Sequence, residues 1–198
     1  MIAGNNIIAL VTFGVLAENY IPEATSVNPS VVTRQILREM LARSSTFQSA
    51  IEATGNPAEK IEQAKAHIYL SSYISDALER PFAVISKNES DKHSAIGGGE
   101  EQTFIIGGEL KLRMERQVPA GLLSAPGSDI TKGKEGEAED DFEEFYEGCI
   151  ADINALAGKP GYLFIRGWDT IEGPALFESA GAQQKIYGII KLCRWGIE

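Results

Sequence analysis

The sequence predicts an α+β domain in which a mostly antiparallel sheet of about four strands carries helices packed on one face. Apolar residues recur at three- and four-residue spacing in residues 32–51 and 142–156, which indicates amphipathic helices. Between them, residues 108–118 alternate apolar and charged side chains, as a half-buried strand does. A chain of 198 residues fits one domain with a single core. Further strands are predicted in the apolar runs at residues 82–86, 162–166 and 185–195.

The first helix is predicted over about residues 32–51, after a proline-containing link at residues 21–29. Ser30 or Thr33 can cap its start, and Gly55 ends it. Its apolar stripe consists of Val32, Ile36, Leu37, Met40, Leu41, Phe47 and Ile51.

A shorter second helix is predicted to begin after Asn56. Asn56 is a favoured N-cap residue, Pro57 suits the first helical position, and Glu59 follows at the third. Ile61 and Ala64 then give this helix its buried stripe.

Two strands come next along the chain. The run from Phe82 to Ser86 is short and apolar, which is typical of a buried strand. The strand from Thr103 to Val118 is about twice the usual 5–6 residues in length. Its alternation places Leu110, Leu112 and Met114 on one face, and Glu109, Lys111, Arg113 and Glu115 on the other.

The second half is predicted to contain one long helix between a loop and two strands. Residues 119–136 are rich in Gly, Ser and Pro, which predicts a loop or linker. The helix spans about residues 140–157, and the acidic residues 135–141 lie at the positive end of its dipole. Its apolar face contains Phe142, Phe145, Tyr146, Cys149, Ile153 and Leu156.

The N-terminal residues 1–29 contain an apolar run from Ile7 to Ala17 that is too short to span a membrane. No Lys or Arg precedes the run, so it lacks the charged start of a signal peptide. Two interpretations stay open. The segment either docks on its own core or forms an apolar arm that docks on a partner.

Net charge and cysteine content limit the classes of function that the chain can have. The 18 basic and 28 acidic residues give a net charge of −10, which repels phosphate backbones and anionic membranes. We therefore expect no sequence-specific nucleic-acid binding and no membrane partner. Cys149 and Cys193 lie within apolar patterns, which predicts reduced core thiols.

The residues that could carry chemistry all have simpler interpretations. The glycines 97–99 are followed by acids and a strand rather than by a helix, which favours a hairpin tip over a phosphate loop. The acidic run at 135–144 lacks the spacing of a calcium loop. His67 and His93 have no nearby ligand residue in sequence, and Cys149 lies on an apolar helix face. We expect no catalytic residue, cofactor or metal, and hence no enzyme.

Four short stretches, taken in order, resemble a family of bacteriophage tail proteins, the tail-terminator or tail-completion (minor tail) proteins. A Gly-rich connection separates the second stretch from the third, and an acidic helix precedes the last, which ends near a Trp-Gly pair as such proteins often do. The resemblance covers about residues 30–198. Its stretches are Ala66–Tyr69, Arg80–Ile85, Gly108–Leu112 and Gly188–Gly196.

The resemblance implies a structural subunit of the phage or prophage tail that forms a ring at its head-proximal end. Such a ring ends tube growth and docks the head connector. It implies a homo-oligomer in contact with other tail and head-completion proteins, present in the bacterial host cytoplasm during assembly and then in the virion tail. The alternative is a small intracellular protein-binding or regulatory domain of unknown ligand.

Self-association is expected through the edge of the long strand or through the N-terminal arm, because both offer surface that a monomer hides poorly. The second Trp of the chain, Trp195, is expected in the core or at an interface. The candidate interface residues are Phe104, Ile106, Glu109, Lys111, Arg113 and Trp168.

Overall fold

Among the residues that the structure describes, four helices cover one face of a mostly antiparallel sheet, so the predicted α+β architecture is confirmed. The computed structural model describes residues 29–71, 78–87, 94–96, 105–126, 128–178 and 185–197. The glycines 97–99, His93 and the N-terminal apolar run lie outside these residues. The helices are α1 (Pro29–Ala42), α2 (Ser45–Ala50), α3 (Pro57–Ala66) and α4 (Glu135–Leu156), with a 3₁₀ turn at Ala120–Leu122.

Among the described residues the sheet has six strands, rather than about four. The strands are β1 (Ile68–Tyr69), β2 (Phe82–Lys87), β3 (Ser94–Ile96), β4 (Ile105–Gln117), β5 (Phe164–Glu178) and β6 (Lys185–Ile197). Their order is β1-β2-β4-β6-β5, with β3 paired to the start of β4, and all these pairs are antiparallel except β1 with β2. The strands β1 and β3 were not predicted because two or three residues are too few to show a period.

The long strand β4 lies in the interior of the sheet. It pairs with β2 from Leu110 to Glu115 and with β6 over almost its whole length. Its Leu110, Leu112 and Met114 side chains face the helices and are fully buried. The edge of this strand was expected to meet a neighbouring subunit, but within the described residues both of its sides are paired along most of its length.

The first predicted helix is broken into α1 and α2 at Ser44. The Ser44 hydroxyl accepts a hydrogen bond from the Phe47 amide at 3.1 Å, which caps the start of α2. The same hydroxyl donates to the Asp152 carboxylate of α4 at 2.7 Å. Thr46 N and Ser45 Oγ also donate to Asp152, at 3.1 and 3.2 Å. A single carboxylate therefore fastens the turn between α1 and α2 to α4.

The predicted cap of α3 is confirmed. The Asn56 side chain accepts hydrogen bonds from the amides of Ala58 and Glu59, and the Glu59 carboxylate accepts from the Asn56 amide at 2.8 Å. Gly55 precedes the cap with φ +98°, a backbone conformation that favours glycine.

The helix α4 begins at Glu135, earlier than the predicted start near residue 140. Glu135 accepts from the Gly133 amide, and Glu137 pairs with Lys134, so the acids order the first turn. On its inner face, Phe145 stacks on Phe47 with ring centroids 6.4 Å apart. The buried residues of α4 are Ala138, Phe142, Phe145, Tyr146, Cys149, Ile150 and Ile153.

The described residues between β4 and α4 form a loop, one of the two possibilities that their composition predicted, and this loop packs on the core. Leu123 and Ile130 form an isolated antiparallel bridge, and the Ser124 amide donates to the Asp129 carbonyl at 3.0 Å. Leu122, Leu123 and Ile130 pack against the core. Three apolar side chains thus anchor the loop.

We predict that Ile153→Asp lowers the free energy of unfolding by about 3 kcal/mol or more, because it places an unpaired charge in the core between α4 and the sheet. Ala151→Asp, at an exposed position of the same helix, is the control and should cost less than about 1 kcal/mol. Urea unfolding followed by circular dichroism measures both. An Ile153→Asp protein as stable as the control would contradict the packing.

We predict that Asp152→Ala lowers the free energy of unfolding by about 1–2 kcal/mol at pH 7, because it removes the acceptor of three hydrogen bonds. Burial opposes ionisation of this carboxyl, but the hydrogen bonds from Ser44, Thr46 and Ser45 outweigh it and lower the pKa of Asp152. Its contribution is therefore complete above the unfolded pKa of about 3.9 and is lost as the pH falls through the lower folded value.

Unfolding curves at several pH values test this pH dependence of stability, with Asp140→Ala, at an exposed position, as the control. The difference between wild type and Asp152→Ala should shrink only below about pH 4. A difference that instead grows in acid would contradict the assignment.

Candidate interaction surface

The structure does not bring the six candidate interface residues onto one surface. Glu109, Lys111 and Arg113 lie on the helix-free face of β4, because their register is opposite to that of the buried leucines. Trp168 pairs in register with Cys193 and lies on the helix side of β5. Phe104 lies outside the described residues, and of Ile106 only the backbone is described.

Most charges on the helix-free face are paired with each other. Arg194 lies 2.6 Å from the Asp169 carboxylate and 3.5 Å from that of Glu109, which links three adjacent strands. Arg80 lies 3.0 Å from Glu115, whose side chain is only 1% exposed, and Arg113 contacts the other oxygen of this carboxylate. Glu109 and Arg113 are thus engaged within the sheet, which weakens the case for them as partner-binding residues.

The strand β5 carries the exposed apolar side chains that sequence reasoning missed. Phe164 and Ile171 are each 45% exposed and Leu176 is 43% exposed, and these are the exposed large hydrophobic residues among those that the structure describes. The strand was predicted to end at Arg166, where the apolar run ends. The β-branched pair Thr170–Ile171, in front of that dipeptide, was the available signal for a longer strand.

The outer edge of β5 is unpaired within the described part of the chain, since β5 is the last strand in the sheet order. Its pairing with β6 is irregular between Ile165 and Gly167, between Thr170 and Glu172, and again before Ala175. Pro174 also removes a backbone donor. Bulges and prolines of this kind hinder the addition of a further strand. A partner at this edge is therefore expected to contact side chains rather than extend the sheet.

A groove of about 390 Å³ lies between the end of α4 and the start of β5. The Trp168 indole donates to the Asn154 Oδ1 atom at 3.0 Å, which fixes the orientation of the ring beside the groove. Aromatic and Arg side chains in a groove are typical of protein interfaces. Its lining consists of Asn154, Ala157, Phe164, Ile165, Arg166, Gly167 and Trp168.

The groove is locally basic although the chain is acidic. Arg166 lines the groove and is exposed, and the exposed Lys159 follows two residues after the lining residue Ala157. Neither cation forms an ion pair with any residue that the structure describes. The opposite charge is concentrated on the exposed side of α4, where Glu139, Asp140 and Glu143 also have no ion pair within the described ranges. One chain therefore presents two unpaired and complementary charged surfaces.

The side chains best suited to catalysis are occupied or buried. Burial is the main cause that raises the pKa of the Cys149 thiol to about 12, and burial raises that of Cys193 further. Both cysteines are free, as predicted. His67 is the C-cap residue of α3, and its Nδ1 atom lies 3.0 Å from the Pro81 carbonyl.

Neither a metal-binding cluster nor a membrane-spanning helix is found among the described residues. No group of three or more His, Cys, Asp or Glu residues there could hold a metal ion. No helix in the same ranges combines the length and the apolar character needed to cross a membrane.

Comparisons with known proteins do not assign a family. No protein-family model matches this sequence. A search of curated proteins likewise finds no significant match.

We predict that neither thiol reacts with a thiol-specific disulfide reagent at pH 8 in the native protein, because a buried thiol with a raised pKa forms almost no thiolate. Both should react in denaturant. Absorbance of the released reagent measures the reaction, and the unfolded protein serves as the control. Rapid native labelling of Cys149 would contradict its position in the core and reopen a nucleophilic role.

Proposed function

We propose that this chain is a structural subunit of phage tail assembly that forms a ring at the head-proximal end of the tail and acts by binding rather than by catalysis. The observation that carries the proposal is the exposed surface at β5, the outer strand of the sheet. There, an exposed aromatic side chain, a basic groove and an unpaired strand edge form a surface suited to a protein partner.

The location of the family-like stretches supports the choice of partner class. Three of them contribute to β2, β4 and β6, and the first joins the end of α3 to β1. These four strands are neighbours in the sheet order. The stretches that carry the resemblance therefore lie in one continuous part of the sheet. The stretches are Ala66–Tyr69, Arg80–Ile85, Gly108–Leu112 and Gly188–Gly196.

The charge of the chain suits the proposed location. A net charge of −10 per subunit gives a ring an electrostatic field that disfavours adhesion of DNA to its wall. DNA that leaves the head could then pass the ring without being held. The subunit would act in the bacterial cytoplasm during assembly and remain in the virion tail.

The second candidate is a small intracellular protein-binding or regulatory domain. The same surface at β5 favours it, because a groove with an aromatic wall and a basic rim also suits a short acidic peptide. The two functions differ in the partner they require, a tube end in one case and a soluble protein in the other.

We predict that the purified chain binds the ends of tail tubes from the same phage or prophage, and that Phe164→Ser combined with Ile171→Ser and Leu176→Ser weakens this binding about tenfold or more. The three side chains are exposed, so the variant should fold normally. Electron microscopy of gold-labelled protein on isolated tubes measures the fraction of occupied ends.

Ala58→Ser with Ala66→Ser is the matched control, because both residues are exposed on α3, which packs beside β1 at the opposite edge of the sheet. This control should bind as wild type does. Failure of the wild-type chain to bind tube ends would reject the tail assignment and favour the soluble binding domain.

A further inference from the structure

We propose that the groove between α4 and β5 binds the acidic outer face of α4 from a second copy of this chain, in a head-to-tail contact. The inference rests on the proposed function, since a ring needs a contact of this kind, and it specifies the two surfaces involved. The groove surface consists of the lining residues Phe164, Arg166 and Trp168 together with Lys159, two residues beyond the lining residue Ala157. The acidic surface consists of Glu139, Asp140 and Glu143.

The groove offers both an apolar and a charged contribution to binding. Phe164 is 45% exposed beside Trp168, whose ring is held by its hydrogen bond to Asn154. Removing such aromatic surface from water favours association. Arg166 and Lys159 add two exposed cations that have no acidic partner among the described residues. A partner with exposed carboxylates would complete these pairs.

The acidic surface is suited to this role because its charges are not needed by its own fold. The acids of the first turn are engaged, since Glu135 accepts from the Gly133 amide and Glu137 pairs with Lys134. Asp140 and Glu143 lie beyond that turn, are exposed and point away from the buried stripe. They gain little from the helix dipole, whose effect is confined to the first turn. These carboxylates are therefore free to meet a cation on another molecule.

A second copy is the occupant that this geometry favours. The acidic surface lies near the start of α4 and the groove near its end, about 21 Å away at about 1.5 Å per residue along the axis. The groove of a subunit therefore lies well away from its own acidic surface. Two different and complementary patches on one molecule produce heterologous contacts, which close into a ring when the rotation between neighbours allows it.

A charge-exchange experiment tests the contact. In the groove variant, Lys159→Glu and Arg166→Glu make the groove acidic; in the helix variant, Asp140→Lys and Glu143→Lys make the helix face basic. Each variant alone brings like charges together, so we expect its self-association constant to fall about tenfold or more below that of wild type. Sedimentation velocity at low and high salt measures this constant.

An equimolar mixture of the two variants should recover association. In the mixture, the basic helix of one variant meets the acidic groove of the other, and the two unmodified surfaces meet as in wild type. Alternating assemblies with equal amounts of both variants are therefore expected, with weaker association at high salt. Native mass spectrometry of the mixture measures the stoichiometry, and recovery also shows that both variants are folded.

Three results would overturn the contact. They are a wild-type chain that stays monomeric at high concentration, single variants that associate as wild type does, or a mixture that does not recover. Loss of association after deletion of residues 1–28, with both charge variants unaffected, would instead assign the contact to the N-terminal segment. Wild-type binding to tube ends, measured separately, distinguishes failure of this contact from failure of the tail assignment.

Discussion

The interior position of β4 is the constraint on which the other elements depend. Hydrogen bonding on both edges fixes its register, so its alternation sends one set of side chains to the helices and the other set to the opposite face. A slip by one residue would bring Glu109 and Arg113 under α4. The carboxylate of Glu115, nearly inaccessible on the other face, is compensated by Arg80 and Arg113.

Polar contacts join the helical layer to itself and to the sheet at specific points. Asp152 accepts from the turn that precedes α2, while Lys191 of β6 lies 2.8 Å from Glu147 and 4.6 Å from the Tyr146 ring centroid. Each of these polar groups has a specific partner, so together they determine where α4 lies along the strands. Apolar packing alone would determine that position less specifically. The position of α4 in turn sets the shape of the groove beside Trp168.

Most of the fold could be predicted from the sequence, whereas the candidate interaction surface could not. Periodicity located α4, β4 and the cap of α3, because each has a local chemical cause. Periodicity did not predict the break at Ser44, because Asp152, which binds Ser44, is distant in the sequence. It also did not predict the full length of β5, which contains Gly173 and Pro174. Exposed residues such as Phe164 follow no period, and Arg166 is distinctive only because it forms no ion pair with an acid among the described residues.

The irregular pairing of β5 would affect how the proposed assembly of subunits grows. A smooth strand edge would capture copies through many backbone hydrogen bonds, and a wrongly placed subunit would then leave slowly. Bulges and Pro174 restrict the surface to a few side chains, whose contacts break and re-form quickly. In the proposed ring, incorrect neighbours would dissociate before the assembly closes, and only complete circuits, in which every subunit is held on two sides, would persist. The same irregularities of the strand disfavour edge-to-edge addition of further strands.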